Sequence, residues 1–111
     1  MRVVNWTEAA PADLRAIEAY LTRHSSQYAR VLVARVFART AQLGGMSLLG
    51  SEVPEYGDEA LRELFEHPYR IVYRIAVVQI DVLAVVHGAR AMPPGCRSEV
   101  SRYTRHATFM P

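Results

Sequence analysis

The hydrophobic pattern of this chain changes period near its middle, and that change limits the folds the chain can adopt. Between residues 8 and 43, apolar residues recur at the spacing of amphipathic helices. Between residues 61 and 87 they form short runs rich in β-branched and aromatic types, which are typical of strands. Because the helices precede most of the strands, the sequence predicts an α+β fold rather than an alternating α/β fold.

The first half of the chain predicts one strand followed by two helices. Arg2–Trp6 is rich in strand formers, and Thr7 is a candidate N-cap for a helix over residues 8–23. A second helix is predicted from Ser26 to Leu43, with a serine before it as cap and Gly44 as its stop signal. Two helices joined by so short a turn must fold back as an antiparallel hairpin.

The second half predicts a loop and then a meander. Residues 46–60 contain glycine and proline and have no clean period, so we expect a loop there. Strands are predicted at Leu61–Phe65, Tyr69–Val77 and Gln79–His87. They form a small antiparallel sheet, joined by the first strand and covered on one face by the helix hairpin. The residues expected between helices and sheet are Leu32, Val36, Val72 and Val85.

Length and composition exclude several classes of protein. The 111 residues suffice for one domain, and no apolar run reaches the roughly 18 residues of a membrane span. The N-terminus lacks the long apolar segment of a signal peptide, so we expect a cytoplasmic protein with no membrane partner. Cys96 is the single cysteine, and the chain has no lysine, so an internal disulfide and lysine chemistry are excluded. Neither a metal nor a cofactor is predicted.

Charge and aromatic residues are unevenly distributed. An acidic segment spans residues 51–69, with six carboxylates against Arg62, and we expect the loop Glu52–Glu59 within it to be solvated rather than to bind a metal. The aromatic residues expected to belong to the core, rather than to a stacking platform, are Trp6, Tyr20, Tyr28, Phe37 and Phe65.

One group of residues suggests chemistry. Arg70 and Arg74 lie four apart on one predicted strand and share a face, while Arg90 and His87 lie at the end of the last strand. If the strands pair as a meander, Arg70 approaches His87 and Arg90. An Arg-His-Arg group can bind phosphate, or can assist cleavage of RNA with His87 as base or acid. The alternative for His87 is a strand-end histidine that hydrogen-bonds to the backbone.

Three short motifs in the second half of the chain are distinctive. They are Leu-Arg-Glu-Leu at residues 61–64, Tyr-Arg-Ile-Val-Tyr-Arg-Ile at 69–75 and Val-Val-His-Gly-Ala-Arg at 85–90. Together with the preceding strand, helix hairpin and acidic loop, they resemble the RelE/ParE superfamily of type II toxin–antitoxin modules. The resemblance covers residues 2–92 and implies a toxin domain over residues 1–92, followed by a tail over 93–111.

The superfamily has two functional branches, and the motifs resemble the ParE branch more closely. This resemblance implies an inhibitor of DNA gyrase that is not an enzyme, serves plasmid stabilisation and forms a hetero-oligomer with a ParD-like antitoxin. The alternative is a RelE-like endoribonuclease that cuts messenger RNA on the ribosome, with Arg70, His87 and Arg90 as its catalytic residues. Arg70 matches an arginine found in both branches and does not separate them. The helix hairpin and the sheet edge suit an amphipathic helix or an added strand from the antitoxin.

Overall fold

The computed structural model describes residues 1–88. Its two helices are α1 (Ala9–Thr22) and α2 (Ser26–Ala41), and a 3₁₀ turn at Gln42–Gly44 extends α2. Its strands are β1 (Val3–Trp6), β2 (Ser51–Glu52), β3 (Leu61–Glu66), β4 (Tyr69–Ile75) and β5 (Gln79–His87). No helix among these residues is long and apolar enough to cross a bilayer.

The five strands form one sheet in the order β1-β5-β4-β3-β2. The pairs β4–β5 and β3–β4 are antiparallel, as predicted, and β2, which was not predicted, pairs antiparallel with β3. β1 runs parallel to β5. The α+β prediction is confirmed, with a mixed rather than a purely antiparallel sheet. β2 was missed because its two residues lie in a stretch without periodicity.

The two helix starts differ in how they are capped. Ser25 caps α2 as predicted, since its Oγ accepts a hydrogen bond from the Tyr28 amide at 3.1 Å. Thr7 does not cap α1, and the cap position is Glu8, which makes no side-chain cap bond. The Thr7 hydroxyl instead donates to the Val82 carbonyl at 3.0 Å, which ties the start of α1 to β5.

The sheet buries an apolar cluster on each face. On the inner face, which the helices cover, Leu32 and Val36 pack against Ile71, Tyr73 and other strand residues. The outer face buries a second cluster, made of Val53, Leu61, Val72, Leu83, Ala84 and Val86. The prediction that Val72 lies between helices and sheet was therefore wrong, because alternation along β4 sends it to the face opposite Ile71 and Tyr73.

A loop rather than a helix covers the outer face. Val53 is fully buried in the outer cluster, and Tyr56 packs against that cluster. The chain reverses at Gly57, whose φ of 60° favours glycine. This loop, residues 53–58, brings the acidic segment directly over β4.

Candidate functional site

Arg70 lies buried on the outer face, where two carboxylates surround its guanidinium. Its Nη1 and Nη2 donate to the two carboxylate oxygens of Glu55 at 3.0 and 2.9 Å, which forms a bidentate pair. Its Nε donates to Glu63 Oε2 at 2.8 Å, and Nη2 also donates to that oxygen. The hydrogen bonds to Glu55 are the main cause that raises the pKa of Arg70, so the guanidinium stays charged.

Arg74 forms a similar ion pair with a carboxylate at the C-terminal end of the 53–58 loop. Its Nη1 donates to Asp58 Oδ2 at 3.1 Å. The acidic loop was expected to be solvated, but Glu55 and Asp58 also form ion pairs, and their side chains are 29% and 31% exposed. With Glu63 they place three carboxylates around two guanidiniums, so this cluster carries no excess of positive charge.

His87 is exposed at the end of β5 and faces the other way. In the β4–β5 register His87 pairs with Tyr69, whereas Arg70 pairs with Val86. The His87 ring meets the Tyr69 ring edge-on, with centroids 5.7 Å apart. Directly paired residues share a face, so His87 lies on the side of Tyr69 and Arg70 lies on the opposite side. The structure does not bring His87 and Arg70 together, and Arg90 lies outside the described residues.

The surroundings of His87 are aromatic. Burial raises the pKa of Tyr69, and the nearby phenols of Tyr28 and Tyr20 raise it further. The Tyr20 ring lies 5.2 Å from the ring of His24. The turn of the helix hairpin and the start of β4 thus form one polar, aromatic corner of the molecule.

Several aromatic residues expected in the core are exposed. Tyr20, Phe37 and Phe65 are each about half exposed, and Tyr28 is 41% exposed. Phe37 packs against the partly buried Trp6 with ring centroids 4.9 Å apart. These expectations were wrong because residue type was weighed above position on the helix. Phe37 directly follows the buried Val36, and Tyr28 directly precedes the buried Ala29, so neither lies on the buried side of α2.

The acidic partners of Arg70 were also missed, although the sequence contains a signal for them. Two arginines on a predicted interior strand need counter-ions if that face is buried. Residues 52–59 are the chain's densest acidic stretch. No group of three residues able to hold a metal ion occurs within residues 1–88.

The comparisons with known proteins match this fold. A family model described as the ParE toxin of the type II toxin–antitoxin system, parDE, matches residues 4–92. The chain belongs to the ParE toxin family. The match begins within β1 and includes every other helix and strand described above, so the resemblance predicted from the motifs is confirmed.

One solved structure shares the fold of this ParE family member. It is titled as the chromosomal ParDE TA system from P. aeruginosa and superposes with a TM-score of 0.64. The alignment has 24% sequence identity and covers 78% of this chain and 96% of that one. No curated protein matches the sequence.

Proposed function

We propose that this ParE family toxin inhibits DNA gyrase and that a ParD-like antitoxin neutralises it in the cytoplasm. The toxin domain spans residues 1–92 and the tail spans 93–111, a division supported by the family match, which ends at residue 92. Membership of the ParE toxin family supports the proposed gyrase target and the proposed antitoxin type.

The ion pairs of Arg70 favour inhibition over the RelE-like nuclease activity. RNA cleavage needs a free cation at the scissile phosphate next to a proton donor and acceptor. The Arg70 guanidinium is already bound to Glu55 and Glu63 and is only 5% exposed. His87 lies on the opposite face of the sheet. An inhibitor needs none of this chemistry, only a complementary surface.

Two assays test the proposed target. Purified gyrase should lose supercoiling activity when the purified toxin is added, and primer extension on RNA from intoxicated cells should find intact messages. His87→Gln should leave toxicity within a few-fold, whereas loss of a general acid or base costs about 10²–10⁴ in rate. Ribosome-dependent cuts abolished by His87→Gln would establish the nuclease alternative and refute the proposal.

The exposed aromatics of the helix hairpin are the surface we assign to the antitoxin. Phe37 offers a half-exposed ring beside Trp6, which an apolar side chain of an amphipathic helix can cover. Phe37→Glu should weaken capture of the co-expressed antitoxin in a pull-down, while Ala38→Glu, at the neighbouring exposed position, serves as control. Equal capture by both variants would exclude this surface as the antitoxin site.

A further inference from the structure

One end of the molecule carries exposed apolar side chains from three segments of the chain. The segments are the start of β1, the stretch between α2 and β2, and the turn between β4 and β5. Six large apolar side chains there are each at least 50% exposed, and they are Met1, Val3, Met46, Leu48, Val77 and Val78. These residues form the apolar end of the molecule, and monomeric domains rarely leave so large an apolar patch uncovered.

Hydrogen bonds of Arg2 and Val3 hold the three segments side by side. Arg2 Nε donates to the Ala76 carbonyl at 2.8 Å, and Arg2 Nη1 donates to Ser47 Oγ at 3.2 Å. The Val3 amide donates to the Val78 carbonyl at 3.2 Å. The exposed apolar side chains therefore belong to one surface of the fold rather than to separate loops.

The apolar end has almost no charge. Its three segments contain one charged side chain, that of Arg2, within residues 1–7, 40–51 and 75–80, whereas 22% of the whole chain is charged. Charged residues lie beside Leu48 around a shallow depression, and they are Glu52, Glu59 and Arg62. An apolar centre with a charged rim is the usual anatomy of a protein–protein interface.

A second copy of this chain fits the apolar end better than a membrane does. In a symmetric dimer the same patch lies on both sides, so a charged patch would place like charges opposite each other, and an uncharged patch avoids this cost. The six side chains expose roughly 700 Å², close to the area of about 800 Å² that each partner of a standard interface buries. Binding at a membrane surface instead relies on lysine and arginine around the apolar residues, and here Arg2 already donates within the chain.

We propose that two copies of this chain form a symmetric homodimer in which their apolar ends pack against each other. The turn at Val77 and Val78 and the side chain of Leu48 lose their exposure to water in this dimer, and the charged rim stays solvated. The proposal does not depend on the proposed inhibition of gyrase, because it concerns the toxin alone and uses no feature of the target.

Sedimentation equilibrium of the purified full-length toxin, over about 1–100 μM, tests the proposal. The mass should rise with concentration from that of the 12.5 kDa chain toward twice that value. Val77→Asp and, separately, Leu48→Asp should each raise the dimer dissociation constant at least about tenfold, because each places two carboxylates in an apolar contact. Both positions are largely exposed in one copy, so both variants should fold, and unchanged denaturant midpoints at low concentration verify this.

The matched control is Val31→Asp, the same substitution at an exposed position of α2 that lies ten residues before the end of that helix. It should leave the dissociation constant unchanged, and equal weakening by Val31→Asp would overturn the proposal. So would a monomer at every concentration, or a dimer that Val77→Asp and Leu48→Asp both leave intact. A monomer that cosediments with vesicles of anionic phospholipid would identify a lipid surface as the occupant and would equally overturn it.

Discussion

The two faces of the sheet are both buried, but different interactions bury them. On the inner face, apolar side chains of α1 and α2 meet apolar side chains of the strands. On the outer face, a smaller apolar cluster lies beside the ion pairs of Arg70 and Arg74, and a loop provides the cover. The inner face depends mainly on apolar packing, supplemented by hydrogen bonds such as those of Tyr73, whereas the outer face also depends on charge pairing.

This difference predicts different responses to mutation. A truncated apolar side chain leaves a cavity whose cost depends on its volume. An ion pair that loses one member leaves a buried charge without compensation, which costs more than the pair ever contributed. Replacement of a buried charged residue on the outer face should therefore cost more stability than truncation of an apolar residue. Truncation of an apolar residue should cost about the same on either face.

Removal of the Arg70 charge should have the largest effect. In Arg70→Met the carboxylates of Glu63 and Glu55 face each other without their shared cation. The variant should lose about 3–5 kcal/mol of unfolding free energy, measured by urea denaturation. A loss below about 1 kcal/mol would mean that the outer face tolerates unpaired charge, and the contrast between the faces would fail.

A triple variant distinguishes lost charge balance from lost packing. Arg70→Met/Glu63→Leu/Glu55→Gln removes the cation together with both of its carboxylates. If the cost of Arg70→Met is unpaired charge, the triple variant should recover most of the lost stability, since apolar replacement of a buried ion-pair set is often neutral. If the triple variant does not recover stability, the cost of Arg70→Met comes from lost packing around the Arg70 side chain.

The same contrast explains what the sequence could and could not predict. Helical spacing of apolar residues predicted both helices, and short runs of apolar, β-branched and aromatic residues predicted β3, β4 and β5, because both signals are local in the sequence. The pairing of Arg70 with Glu55 joins residues fifteen apart through an irregular loop, and no local pattern encodes it. The sequence placed Arg70 and His87 correctly on strands. It did not predict that they face opposite sides of the sheet, because a shift of one residue in the pairing reverses the face.

Matched valines compare the apolar parts of the two faces. Val82 on the inner face and Val72 on the outer face are both fully buried. Alanine at either position should cost about 1.5–3 kcal/mol, from lost transfer free energy and the cavity left behind. A cost below about 0.5 kcal/mol for Val72→Ala would show that the loop covers the outer face without forming a core.

The Tyr73 hydroxyl should contribute less to stability than the buried valine side chains, and its contribution should depend on pH. Its hydroxyl donates to the Ser47 carbonyl at 2.7 Å and accepts from the Gly50 amide at 2.9 Å, which holds the segment leading into β2. Burial raises the pKa of Tyr73 above its ordinary value of 10.0, as it does for Tyr69. The folded protein therefore retains phenolic protons that the unfolded chain loses above about pH 10, so stability is complete below that pH and falls as pH rises further.

Tyr73→Phe tests both parts of this argument. It should cost about 1–2 kcal/mol at pH 7, because two hydrogen-bond partners lose the hydroxyl. It should also reduce the loss of stability between pH 9 and pH 11, measured as denaturant midpoints on that series. Tyr20→Phe, at a half-exposed position, is the control for the cost at pH 7 and should leave that cost close to zero. An unchanged alkaline slope in Tyr73→Phe would leave Tyr69 as the phenol responsible.

Arg35 should show the smallest effect and completes the comparison of arginines. Its Nη1 lies 3.8 Å from Glu66 Oε1, and its side chain is 63% exposed, so water screens the pair. Arg39 lies closer to Glu66, at 3.5 Å, and continues to compensate that carboxylate when Arg35 is removed. Arg35→Ala should therefore change the unfolding free energy by less than about 0.5 kcal/mol, against about 3–5 kcal/mol for Arg70→Met. If the two variants were equally destabilised in the same urea titration, burial would not determine how much each arginine contributes to stability.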